Sequence, residues 1–192
     1  METEAWGNVM HIITCQETQH ADAMLAIFND AIVNTTALYD YRPRTRASMT
    51  AWFAVKARGS FPVIGLQTDS GELAGFASYG TFRAWPAYRY SVEHSIYLQQ
   101  AFRGRGLGNL LLQALITAAG QQGVHVLIGA IDTDNQASIR LHERAGFHPS
   151  GTLHQVAYKF GRWLDLAFYQ LTLSTPAQPE ETEAPLPPPD KR

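Results

Sequence analysis

Arg103, Gly104, Arg105, Gly106, Leu107, Gly108 and Asn109 join a strand-like run ending at Leu98 to the leucine-rich stretch NLLLQALITAA. A strand, a glycine turn and a helix start gather unpaired backbone N–H groups and the positive end of a helix dipole at one point, which suits a phosphate-type anion. The glycines admit close approach, and the two arginines add charge able to pair with phosphate oxygens. A P-loop requires G-x-x-x-x-G-K-[ST], which does not occur. The dinucleotide fingerprint G-x-G-x-x-G ends on Asn109 when begun at Gly104 and on Leu111 when begun at Gly106, so it fails twice. Asp132, near the end of the next strand-like run, keeps a nicotinamide-type reading in play. A glycine turn that merely connects two elements would leave the same pattern.

A second group lies in the strand-like run feeding this loop. Alternation puts Val92, His94 and Ile96 on one face and Glu93, Ser95 and Tyr97 on the other, so polar groups occur on both sides. That is unusual for a buried strand and suits a site. Cys15 is the single cysteine, which excludes an internal disulfide and reads as a small buried hydrophobe. His142, His148 and His154 recur every six residues but span a helix, a turn and a strand, so no metal site is expected.

Periodicity supplies the elements that must hold these groups. Met10 to Thr14 reads as a strand, Ala21 to Val33 as an amphipathic helix, and Ser48 to Ala57 as a helix capped by Thr45 or Ser48. Pro62 to Gln67, Leu73 to Thr81 and Tyr90 to Leu98 read as an antiparallel meander, with Asp69-Ser70-Gly71 as a hairpin turn. Leu107, Leu110, Leu111, Ala114, Leu115 and Ala118 keep helical spacing up to Gly120, and Val124 to Ile131 is an apolar strand. These two form a βαβ unit around the glycine loop. Asp134 or Asn135 caps a short helix through Ala145, with Gly146 at its C-terminal turn. Two strands around Leu153 to Phe160 and Asp165 to Leu173 finish the pattern. The expected fold is α/β (α+β): a single mixed, mostly antiparallel sheet covered by helices on both faces.

The chain of 192 residues is 45% hydrophobic and 17% charged with a net charge of −2, which gives no basic footprint for nucleic acid. No apolar run approaches membrane-spanning length, and the first residues lack a basic segment ahead of an apolar one. A cytoplasmic protein without membrane attachment is expected. Residues 1–9 read as an N-terminal extension, 10–173 as the domain, and 174–192 as a disordered tail holding six of the ten prolines. Within it, Pro185 to Pro188 fits a PxxP pattern open to a partner domain.

Arg103-x-x-Gly106-x-Gly108 resembles the [QR]-x-x-G-x-[GA] pyrophosphate loop of the GCN5-related N-acetyltransferases. Asn135, followed by Ala137-Ser138-Ile139-Arg140-Leu141-His142-Glu143-Arg144-Ala145-Gly146-Phe147, resembles that superfamily's second signature, N-x-x-[SA]-x-x-L-Y-E-x-x-G-F. Phe28-Asn29-Asp30-Ala31, Asn34-Thr35-Thr36-Ala37, Val92 to Leu98, and Lys159-Phe160-Gly161-Arg162-Trp163-Leu164-Asp165-Leu166 look like the phosphinothricin and methionine sulfoximine/methionine sulfone acetyltransferases.

The resemblance implies transfer of acetyl from acetyl-CoA to the α-amine of a small amino-acid analogue within a ternary complex, by an enzyme that is commonly a homodimer. It implies Glu93 as base, with His94 able to share the proton, and Ser95 beside the substrate. It also implies a bulged, splayed strand on which the backbone of Ile96, Tyr97 and Leu98 pairs with pantetheine and the thioester oxygen. The amides from Gly104 to Asn109, including Arg105 and Leu107, take the pyrophosphate; Asn135 and Ser138 serve the pantetheine side. His142 stands where most of the superfamily has a tyrosine that protonates the thiolate. Arg83, Ala84 and Trp85 occupy the substrate-binding link, where arginine would clamp a carboxylate. Together with Tyr88 and Arg89, Arg83 disfavours a polycationic aminoglycoside. Acetylation of another amine such as a protein N-terminus, a nicotinamide-dependent oxidoreductase and a non-catalytic CoA-binding module are the alternatives.

Overall fold

The computed structural model describes residues 9–189; the proposed extension, apart from Val9, and the last three tail residues lie outside that range. Seven strands form one sheet in the order β1-β2-β3-β4-β5-β7-β6, where β1 is Met10–Thr14, β2 Val63–Thr68, β3 Leu73–Thr81, β4 Ser91–Leu98, β5 Val126–Asp132, β6 His148–Lys159 and β7 Arg162–Thr172. All ladders are antiparallel except β4 with β5. The mixed, mostly antiparallel sheet expected from the sequence is therefore present.

Helices α1 (Glu17–Asn34) and α2 (Arg46–Arg58) cover one face, and α3 (Leu107–Gln121) and α4 (Gln136–Arg144) the other. Met24, Phe28 and Ile32 of α1 pack with Met49, Phe76 and Tyr97, whereas Leu111, Leu112 and Leu115 of α3 pack with Ala77, Leu127 and Ile131. Every residue of β3 is buried, as a central strand between two helical layers requires.

Two elements start four or more residues before the sequence reading. Helix α1 starts at Glu17 rather than Ala21, because its polar first turn carries no apolar period; the buried His20 Nδ1 accepts the Gln16 amide at 2.9 Å. Strand β6 starts at His148, since an edge strand tolerates Pro149 and Gly151, which locally read as a turn. Of the two expected caps of α2, Thr45 serves, its hydroxyl accepting the Ser48 amide at 3.3 Å.

The segment after β7 contains no helix or strand among the described residues, yet it is anchored. Thr175 Oγ1 donates to the Val124 carbonyl at 2.5 Å, and the Glu180 amide donates to the Tyr90 hydroxyl at 2.8 Å.

Candidate active site

Strands β4 and β5 pair only over Ser91–His94 and Val126–Gly129. Beyond His94 the ladder ends, and a cavity of about 260 Å³ occupies the opening. The expected bulge is not seen: β4 keeps an unbroken register with β3 from Val92 to Leu98, so parting from β5 alone frees that side of the strand.

Glu93, His94, Ser95, Ile96 and Tyr97 line the cavity from β4, with Asn135, Ser138 and His142 from the start and body of α4. Gly129 allows the closest packing here. A Cβ on it would lie 3.1 Å from His142 Nε2 and 3.2 Å from His94 Cε1, tighter than ordinary contact. Strand alternation sends Glu93 to the α1 face and His94 to the α3 face.

His94 and His142 form a buried pair whose Nε2 atoms are 2.8 Å apart. His142 Nδ1 lies 2.7 Å from the Ser138 carbonyl, which can only accept, so Nδ1 carries the proton. In neutral His142, Nε2 is then the acceptor and His94 Nε2–H the donor. Burial pushes the His142 pKa below its ordinary 6.5, against the opposing effect of the Ser138 carbonyl. Asn135 Oδ1 accepts the Ser138 amide at 3.1 Å, so Asn135 caps α4 while facing the cavity.

Gly104 and Gly106 have φ of +76° and +78°, and nothing lies within 4 Å of where their Cβ atoms would be. This open, left-handed turn delivers the first amides of α3 to solvent beside the end of β4. Arg103 donates from Nε to the Leu98 carbonyl at 3.1 Å and pairs with Asp30 at 3.3 Å, tying the loop to β4 and α1; the Arg105 guanidinium sits over the Phe102 ring. Leu107 is buried, Gly108 packs against Leu141, and Asn109 is exposed. The opening and the loop together fit a long thioester whose phosphates meet backbone N–H groups.

Arg83, Ala84 and Trp85 do not line the cavity. They lie exposed on the link to the 3₁₀ turn Pro86–Tyr88, with Trp85 73% exposed. Gly80 of β3 is the cross-strand partner of Glu93, and Arg83 lies two residues beyond the end of β3.

Sequence reasoning missed the fourth wall. Thr36, Ala37, Leu38 and Tyr39, after α1, line the cavity together with Gly129 to Asp132. The buried Lys159 holds this loop by donating to the carbonyls of Ile32 at 2.7 Å, Thr35 at 2.8 Å and Leu38 at 2.6 Å. The available signals were Asn34 to Ala37 and Lys159 within the family-like segments.

The comparisons agree with this geometry. The model of the acetyltransferase (GNAT) family matches residues 23–147. An L-methionine sulfoximine/L-methionine sulfone acetyltransferase of Pseudomonas aeruginosa is 50% identical over 150 residues, covering 78% of this chain and 87% of its own. The phosphinothricin N-acetyltransferase of Streptomyces coelicolor is 34% identical over 149 residues, covering 77% and 87%. An acetyltransferase structure from Salmonella typhimurium, solved with its cofactor acetyl-CoA, superposes with a TM-score of 0.86 at 37% identity, covering 91% of this chain and 99% of that one. The chain with this parted sheet and glycine loop belongs to the GNAT family and is an acetyl-CoA-dependent N-acetyltransferase.

Proposed function

We propose that the enzyme acetylates the α-amine of a small amino-acid analogue, with L-methionine sulfoximine, L-methionine sulfone or phosphinothricin as the substrate class. The carrying observation is the cavity itself: about 260 Å³, placed where β4 and β5 part, with Glu93 facing the 36–39 loop and the histidine pair on the opposite face. This volume suits an amino acid. Identity to relatives named for these substrates supports the same reading.

An α-amine with a pKa near 8 is only about a tenth neutral at pH 7, so a proton acceptor helps. Glu93 takes that proton, leaving a neutral amine to attack the thioester carbonyl. Backbone groups of Ile96 and Leu98, on the side of β4 that has parted from β5, receive pantetheine and the developing oxyanion, with Tyr97 between them paired to β3. The amides of the Gly104 to Asn109 turn receive the pyrophosphate. Asn135 and Ser138 sit on the donor's side.

The departing thiolate, with a thiol pKa of about 8.5, needs a proton. His142 can act as the acid only after gaining one at Nε2, and a His94 protonated on both nitrogens can pass it across the 2.8 Å bond, returning to its neutral form. Arg83 guides the substrate carboxylate at the entrance, with Ala84 and Trp85 beside it.

A homodimer is supported by the apolar residues exposed along the β6–β7 hairpin, including Leu153, Val156, Tyr158, Phe160 and Trp163. Sedimentation should give twice the chain mass. Among the described residues no helix is long and apolar enough to cross a membrane, and dependence on acetyl-CoA favours cytoplasmic action.

Thiol release from acetyl-CoA across amino-acid analogues, peptides and aminoglycosides tests the assignment. The analogues should turn over; turnover of peptides with none for the analogues would overturn it.

A further inference from the structure

The cavity holds two polar groups that the mechanism above leaves unused. Asp132, the last residue of β5, has a side chain only 1% exposed. Its Oδ1 accepts the Asp134 amide at 3.0 Å, whereas Oδ2 has no hydrogen-bond partner among the described residues. The Arg162 guanidinium stops 3.7 Å from Oδ2 and donates instead to Asp134 at 2.8 Å. The Tyr39 hydroxyl is likewise enclosed and without a partner. Both residues line the cavity together with Glu93.

A carboxylate oxygen removed from water and left without a donor is unfavourable unless a ligand supplies one. Parallel register identifies that ligand's side of the sheet. Glu93 pairs with Ile128, so Ile128, Ala130 and Asp132 share the Glu93 face, away from the His94–His142 pair. Tyr39 belongs to the loop closing the same side. Its phenol is raised to about 12, first by burial and then by the Asp132 charge, so it stays protonated and senses that carboxylate.

Building on the amine-acetylation reading, we propose that Asp132 and Tyr39 form the seat of the substrate's α-ammonium, Asp132 Oδ2 accepting one N–H and the Tyr39 oxygen a second. Register puts Asp132 four residues beyond Ile128, the partner of Glu93, so one ammonium proton passes through bridging water to the Glu93 carboxylate, giving a neutral amine and a carboxylic acid, and the amine stays hydrogen-bonded to Asp132. A cation with three donors satisfies both orphaned atoms at once, which neither the thioester nor a carboxylate does.

Calorimetric binding of L-methionine sulfone and of its N-acetyl product, each with CoA present, tests this in the full chain. Asp132→Asn keeps the Oδ1 acceptor for Asp134 and should weaken the amine by about 10- to 100-fold, with the N-acetyl compound and CoA within about twofold of wild type. Tyr39→Phe should weaken the amine by about threefold or more. Arg162→Gln should bind the amine as wild type does. Unchanged amine affinity in Asp132→Asn, equal loss for the N-acetyl compound, or equal loss in Arg162→Gln would overturn the seat. A wild type that binds the amine without acetylating it removes the substrate assignment and leaves the seat standing; a wild type that binds no α-amine removes both.

Discussion

His94 and His142 share one hydrogen bond, 2.8 Å between Nε2 atoms, with the rings stacked 28° from parallel beneath Gly129. Because His142 commits Nδ1–H to Ser138, the direction of that bond in the neutral pair is fixed, with His94 as donor. The unfolded imidazole, with its ordinary value near 6.5, binds a proton that buried His142 resists. Folding stability is therefore untouched by this group above that value and falls as pH drops through the window below it. Denaturant titrations at pH 7.5 and about 5.5 should show this loss in wild type and a smaller one in His142→Gln. His142→Gln should also lower kcat by about tenfold or more if the acid role holds, whereas an unchanged kcat excludes it.

Gly129→Ala would push a methyl to within 3.1 Å of His142 Nε2. The rings must shift by a few tenths of an ångström, enough to misalign a proton path without unfolding the sheet. We expect kcat to fall by about tenfold with CoA affinity within about twofold. Wild-type turnover would show that the pair has no catalytic part.

Gly106→Ala carries a different penalty. No atom obstructs the new methyl, but φ of +78° strains any L side chain by about 1–2 kcal/mol. The loop should relax and weaken CoA in calorimetry while the amine site is retained. Equal CoA affinity would place the pyrophosphate elsewhere.

Lys159→Met removes the donor shared by three carbonyls around the end of α1. Stability should drop by about 2–4 kcal/mol in urea titration. Because those carbonyls precede and lie within the Thr36 to Tyr39 loop, the KM for the amine should rise more than that for acetyl-CoA. Parallel changes in both would mean the lysine only supports the fold.

Burial pushes the Cys15 thiol up to about 12, so about one molecule in ten thousand is thiolate at pH 8. An aromatic disulfide reagent should react slowly with native protein and fully once it is unfolded. Rapid native labelling would contradict the packing of Cys15 beside Gly65.

The elements that touch the acetyl donor were legible because their signals are local. Glycines at 104, 106 and 108, the polar residues of β4, and Asn135 before a short helix all announce themselves within a few positions. The amine's side was not. Tyr39, Asp132 and Lys159 gain meaning only where distant segments meet, Tyr39 and Asp132 being 93 residues apart and Ile32 and Lys159 127, and nothing in the periodicity of a single segment encodes such meetings. Asp132 stood out only as a ribose-binding candidate, and alternation along β5 instead turns it toward Tyr39. Arg83 to Trp85, by contrast, stood out by residue type, yet they lie on the exposed rim of the structure.

Lys159 sits at the end of β6, and its partner Ile32 lies 127 residues earlier in the chain. The first long helix therefore keeps open carbonyls at its end until β6 is in place. A nascent chain can form the glycine loop and its helix early, but the wall that confines the amine waits for the penultimate strand. The wall that confines the amine thus depends on a contact of high sequence separation, whereas the donor's loop is built from local ones.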